Sequence, residues 1–199
     1  LFSLAPRNDT VTSVGDAGLK VLGRHRSLRK LLARSTPVTL PGVLESARRQ
    51  PRLLVYFTGG SFQNGGLALE PPLSPSNLPQ LKGAKGVTAL DVSKLRVSNR
   101  ALLDIESLPD LKRLNLSRTR ISDGGMDCIA RMTALTQLDL SYTRITDSGL
   151  KPLAALKNLE RLKLSHIPLT NAGLSHLAPL TGLQQLSING TSIGGNALE

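Results

Sequence analysis

The residues able to do chemistry are few and scattered. His25, His166 and His176 are too dispersed for the chain to suggest a metal site. The single cysteine, Cys128, precedes the apolar Ile129 and has no base beside it in the sequence, so it reads as a packed helix thiol and not as a nucleophile. No GxxxxGKS/T, HExxH or CxxC occurs. No catalytic, cofactor-binding or metal-ligating residue is therefore assigned. Positive charge is what the chain has in excess, 25 Lys and Arg against 14 acids, a net +11. Residues 1–52 hold ten of the cations against three acids, and the run GRHRSLRKLLARS concentrates Arg24, Arg26, Arg29, Lys30 and Arg34. A second set is spread along the chain at a step of 24: Lys94 and Arg118 on one phase, Arg96, Arg120 and Arg144 on another. Tyr142 and then His166 continue the first phase, which gives His166 a surface position. Arginine can hold phosphate or carboxylate bidentately, and Tyr142 can stack or donate a hydrogen bond. These eleven residues, His166 aside, are the candidate contacts to phosphate or to an acidic partner.

What places the second set together is an internal repeat. Leu111, Leu114 and Leu116 recur at a step of 24 as Leu135, Leu138, Leu140, as Leu159, Leu162, Leu164 and as Leu183, Leu186, Ile188; one step upstream stand Val87, Leu90 and Val92. A second aliphatic row runs Val97, Ile121, Ile145, Leu169, Ile193, and a row of small residues Ala101, Gly125, Gly149, Gly173, Ala197.

The physics of one unit is local. LTQLDL alternates, so Leu138 and Leu140 point inward and Gln137 and Asp139 outward from a strand. SYTRITD is a turn whose hydroxyls can bond nearby backbone. Leu150, Leu153 and Leu156 line one face of a short helix. Asp123, Asp147 and Asn171 are placed to cap the helices that follow them, Gly149 permits a close backbone approach, and Pro152 suggests a helix start a residue or two after Asp147. A single unit cannot bury its leucines; stacking the units can. Cations just after successive strands then share one rim. On the outer face Asp91 and Asp139 are separated by Asn115, which makes a carboxylate pair improbable.

Leu135 to Ile145, LTQLDLSYTRI, resembles the leucine-rich repeat signature LxxLxLxx(N/C)xL, with Thr119, Thr143 and Thr191 in the Asn/Cys slot. ITDSGL and PLAAL resemble the helical half of longer repeats, such as those of F-box-type receptors. The resemblance implies an α/β fold: a right-handed leucine-rich-repeat solenoid with a parallel concave sheet and short convex helices. It covers Val87 to Leu198 closely.

Extended backward, the phase places Leu28, Leu31 and Ala33, then Val55 and Phe57, in strand slots. The single domain 1–199 thus divides into degenerate basic repeats (1–58), an irregular repeat with an insertion (59–86) and regular repeats (87–199). The step from Arg52 to Val87 is 35, an insertion of 11, assigned to GGSFQNGGLALEPPLSPSN as a surface loop, with a docking loop using Phe62 and Leu67 as the sharper reading. Seven strands are predicted, a sheet of roughly 30 Å.

One cysteine excludes an internal disulfide and favours a reducing, intracellular compartment. No apolar run approaches the ~18 residues of a membrane span. The sequence begins without Met, as a chain with a removed leader or a trimmed chain would, and ends where another helix should start, so a partner or further sequence is expected to cover Leu183, Leu186 and Leu198. Two function classes remain. One is a non-enzymatic scaffold in a large assembly, with other proteins and RNA phosphates as partners, a mitochondrial ribonucleoprotein such as an organellar ribosome being the sharpest version. The other is a substrate-recognition or signalling adaptor of the ubiquitin-ligase-receptor kind.

Overall fold

A computed structural model describes residues 2–3, 15–22, 30–33, 38–49, 54–57, 60–63, 66–69 and 75–194. Ten short strands form one sheet in sequence order: β1 (Phe2–Ser3), β2 (Lys30–Ala33), β3 (Leu54–Phe57), β4 (Gly60–Gln63), β5 (Gly66–Leu69), β6 (Ala89–Asp91), β7 (Arg113–Asn115), β8 (Gln137–Asp139), β9 (Arg161–Lys163) and β10 (Gln185–Ser187). All neighbours are parallel except β3–β4 and β4–β5. The helices α1 (Asp16–Leu22), α2 (Leu40–Arg49), α3 (Leu102–Glu106), α4 (Met126–Ala130), α5 (Asp147–Leu150) and α6 (Asn171–Ser175), with 3-10 segments, return the chain between the parallel strands. This is an open α/β solenoid. No helix among the described residues is long and apolar enough to cross a membrane.

The register follows the repeat. Leu90, Leu114, Leu138, Leu162 and Leu186 pair in sequence across β6 to β10, and Leu31 pairs with Val55 upstream, each a step of 24. A parallel register locked to the repeat puts like residues in line, so the aliphatic rows become one continuous core. Leu114, Leu138 and Leu162 are buried, as are Leu116, Leu140, Leu164, Ile121, Ile145 and Leu169. Burying each such side chain stabilises by about 1.5–3 kcal/mol. Leu186 on β10 is 36% exposed and Leu183 is half-buried; Leu198 lies outside the described residues.

The insertion is not a surface loop. It forms an antiparallel hairpin, β4 and β5, that enters the sheet; with β1 this makes ten strands where seven were expected, and the sheet extends about 43 Å. Phe62 pairs with Val55 on one side and Leu67 on the other, and Leu67 pairs with Leu90. The hairpin thus carries the inward row across the interruption. Phe62 is 4% exposed and Leu67 1%, so neither can serve a docking loop. The two residues between the strands, Asn64 and Gly65, are the sequence signal for such a hairpin.

Two further expectations are corrected. Asp123 and Asp147 do not cap their own helices. Asp123 accepts hydrogen bonds from Thr146 N (2.8 Å), Thr146 Oγ1 (2.6 Å) and Ser148 Oγ (2.8 Å) in the next coil, and Asp147 accepts from Thr170 N (2.9 Å) and Thr170 Oγ1 (2.5 Å). Asn99 and Asn171 receive Ser122 N and Gly194 N in the same way. Repetition makes an inter-coil ladder from residues that a single unit would use as caps. The small-residue row exists for this ladder: a Cβ at Gly149 or Gly173 would collide with the Asp123 or Asp147 carboxylate of the preceding coil. As for Pro152, α5 does start at Asp147, and the proline lies near the start of the 3-10 segment Lys151–Ala155.

Candidate functional site

The turn after each strand fixes the rim. Thr119 Oγ1 donates to the Leu116 carbonyl (2.5 Å), Thr143 Oγ1 to Leu140 (2.5 Å) and Thr191 Oγ1 to Ile188 (2.7 Å), so a hydroxyl closes these three turns, while Leu95 and Ile167 hold the same slot in the other two. Between the strand and that threonine the backbone turns left-handed. Lys94 (φ 64°), Arg118 (58°), Tyr142 (57°), His166 (57°) and Gly190 (67°) occupy this one slot in successive coils. Their amides extend the inter-coil ladder past the strands: Lys94 N donates to Ser117 O (3.0 Å), Arg118 N to Ser141 O (2.9 Å), Tyr142 N to Ser165 O (2.9 Å) and His166 N to Asn189 O (2.8 Å). A left-handed conformation costs a non-glycine residue about 1–2 kcal/mol, and long or aromatic side chains are rare there. Gly190 is the ordinary choice for the slot; the other four are not.

These side chains form a column. The Arg118 guanidinium carbon lies 3.9 Å from the centre of the Tyr142 ring. On the opposite side His166 stacks on Tyr142 with ring centres 4.4 Å apart and planes 16° from parallel. A Cβ on Gly190 would come within 2.5 Å of His166 Nδ1, so the imidazole packs against that glycine. Arg96, Arg120 and Arg144 form a second exposed row two residues on, with Arg120 N bonded to Val97 O and Arg144 N to Ile121 O. Lys94, Arg96, Arg118, Arg120, Tyr142 and Arg144, predicted from the sequence, are thus all exposed on the turns after successive strands. Among the described residues the ion pairs are Arg49–Glu45, Arg131–Glu106 and Lys163–Asp139, and none involves a rim cation. Arg24, Arg26, Arg29 and Arg34 lie outside the described residues; Lys30 opens β2.

The outer face of the sheet is different. It is a shallow groove of about 660 Å³ lined by such residues as Asp91, Arg113, Asn115, Asp139, Arg161 and Lys163. Both of its aspartates have partners: Asn115 Nδ2 donates to Asp91 Oδ2 (3.1 Å), and Lys163 Nζ is 3.8 Å from Asp139 Oδ2. Asn115 does lie between the two aspartates.

Cys128, expected to have no base beside it, has the carboxylate of Glu106 at 2.9 Å from Sγ. That carboxylate is no base. Arg131 grips it with Nε (2.7 Å) and Nη2 (2.9 Å), and these bonds, then the one from Cys128, hold Glu106 at about 2. Burial, followed by the Glu106 hydrogen bond, pushes the thiol up to about 12, so it stays protonated near neutrality. The pair acts as a clip between α3 and α4.

A family model described as Leucine Rich repeat matches residues 107–130 and 131–154. Among solved structures, internalin C2 from Listeria monocytogenes aligns over 95% of this chain and 72% of its own, with 19% identity and a TM-score of 0.56. An internalin, inlF, from the same organism aligns over 87% of this chain and 45% of its own, with 25% identity and a TM-score of 0.51. No curated protein sequence matches the chain. The likeness to these structures concerns the fold.

Proposed function

We propose that this chain, a leucine-rich repeat protein, is a non-enzymatic scaffold that docks into a large anionic assembly through its rim. The observation that carries this reading is the uncompensated rim charge. Five cations share the turns after successive strands at a spacing of about 4.8 Å per coil, and none has an acidic partner among the described residues. The core requires none of these charges, and stacked like charges repel. A polyanion relieves that repulsion. Four of the five are arginines, whose planar fork suits phosphate. A ribonucleoprotein is therefore the assembly we favour, a mitochondrial one such as an organellar ribosome being its most specific form. The basic run from Arg24 to Arg34 adds to the same charge excess.

The test is co-purification of the native protein with and without nuclease. RNA-dependent partners are expected. Partners retained unchanged after nuclease would favour the second reading, an adaptor that binds a protein in the polar groove of the sheet, which the groove's mixed charges and open shape support.

A further inference from the structure

We infer that the column Arg118–Tyr142–His166, with the adjacent rim arginines, is a site for the phosphodiester backbone of a nucleic acid that does not read bases. The inference rests on the rim reading above and deepens it. Three observations carry it. First, the slot is left-handed in five successive coils, and four of them hold Lys, Arg, Tyr or His where glycine would be free of strain. Strained backbone occupied by long polar side chains marks a place where those side chains are needed. Second, the ring faces are already used. Tyr142 is covered by Arg118 at 3.9 Å on one side and His166 at 4.4 Å on the other, and His166 packs on Gly190. A base therefore has no tyrosine face to stack on, unlike in single-strand binding proteins that offer open aromatic platforms. What the column presents to solvent is edges: guanidinium N–H groups, a phenol hydroxyl and an imidazole edge, of which the guanidinium donors best suit phosphate oxygens. Third, the rim has no apolar anchor. The large hydrophobic residues most exposed among those described are Val21, Leu103, Tyr142 and Leu186, and only Tyr142 lies on it. Both faces of that ring are covered within the column, so a protein partner meets no open apolar anchor there, whereas a linear polyanion needs only regularly spaced cations. In this arrangement Tyr142 is a positioning residue, holding Arg118 flat against its ring.

The test uses fluorescence anisotropy of the whole chain with labelled oligouridylate, oligoadenylate and oligothymidylate of equal length, and with polyglutamate of equal charge. The expected result is affinities within about threefold among the oligonucleotides, because backbone contacts carry no sequence information. Polyglutamate should bind more weakly, although its carboxylates can also take the arginine fork. The double variant Arg118→Asn/Tyr142→Asn suits the left-handed slot and should lose about tenfold toward every oligonucleotide, with the salt slope falling by about 0.7 for each phosphate no longer neutralised. Tyr142→Phe, which keeps the stack and loses only the hydroxyl, should lose far less affinity than the double variant. A strong preference for one base, or equal binding of polyglutamate, would overturn the inference and leave the rim reading standing. So would wild-type binding by the double variant alongside weakened binding by Arg96→Gln/Arg120→Gln/Arg144→Gln. If the wild-type chain binds none of the polyanions, both readings fail.

Discussion

The carboxylate of Asp123 lies in the space that a Cβ on Gly149 would fill. From there it receives three hydrogen bonds from Thr146 and Ser148 of the next coil. Burial alone would raise its pKa; the bonds from the Thr146 hydroxyl, the Thr146 amide and Ser148 outweigh that and lower it. Gly149 is therefore a packing requirement, since its own backbone is not left-handed. Gly149→Ala should destabilise the protein by about 1–3 kcal/mol through overpacking, despite alanine's better helix propensity. Urea unfolding measures it; an unchanged or raised midpoint would show that Asp123 can move aside at no cost.

Leu138 is 2% exposed between Leu114 and Leu162. Leu138→Asp buries a charge in the row that every coil shares, and should cost several kcal/mol and unfold at least the adjoining coils. Circular dichroism and melting report it. A variant that melts like the wild type would reverse the assignment of inward and outward faces.

The regular part of the fold was legible because one row supports the next: Leu90 to Leu186 carry one message at one spacing, and a parallel register needs nothing more. The rim set was legible for the same reason, as Lys94, Arg118 and Tyr142 differ in type but share a phase. The hairpin at Phe62 and Leu67 broke that phase. Its signal was local, Asn64–Gly65 between two short alternating runs, and weighing Gly and Pro content hid it. Asp123 and Asp147 misled for a different reason. A carboxylate at a helix start is a cap within one unit, and only the neighbouring coil offers it Thr146 or Thr170. The stack of His166 on Tyr142 likewise required the left-handed turn, which the side-chain types alone do not announce.

Acid should weaken the clip between α3 and α4. Glu106 is held at about 2 against a reference of 4.5 by its bonds to Arg131 and then Cys128. A depressed carboxyl binds more protons unfolded than folded, so its contribution is present above about pH 4.5 and is lost as pH falls toward about 2. Glu106→Gln should be less stable than wild type near neutrality, and the difference should shrink across that window. Thermal unfolding in a pH series tests this; a difference that stays constant from neutral pH to about pH 2 would contradict it.

At the rim, strain and stacking oppose each other. Tyr142→Gly removes about 1–2 kcal/mol of left-handed strain and also a cation–π and a ring contact worth about as much together. The melting temperature should therefore change little. A drop comparable to that of a truncated buried leucine would make the column a structural element and weaken its reading as a contact site.

On the proposed reading, the rim holds the protein in its assembly. Charge reversal tests it most directly: Arg96→Glu/Arg118→Glu/Arg120→Glu, expressed in place of the wild type, with the assembly isolated at one fixed salt concentration. Circular dichroism should show the variant folded, since the three side chains are exposed and make no ion pair among the described residues. It should sediment free of the assembly. A folded variant that co-sediments as the wild type does would show the rim to be only a solvated edge.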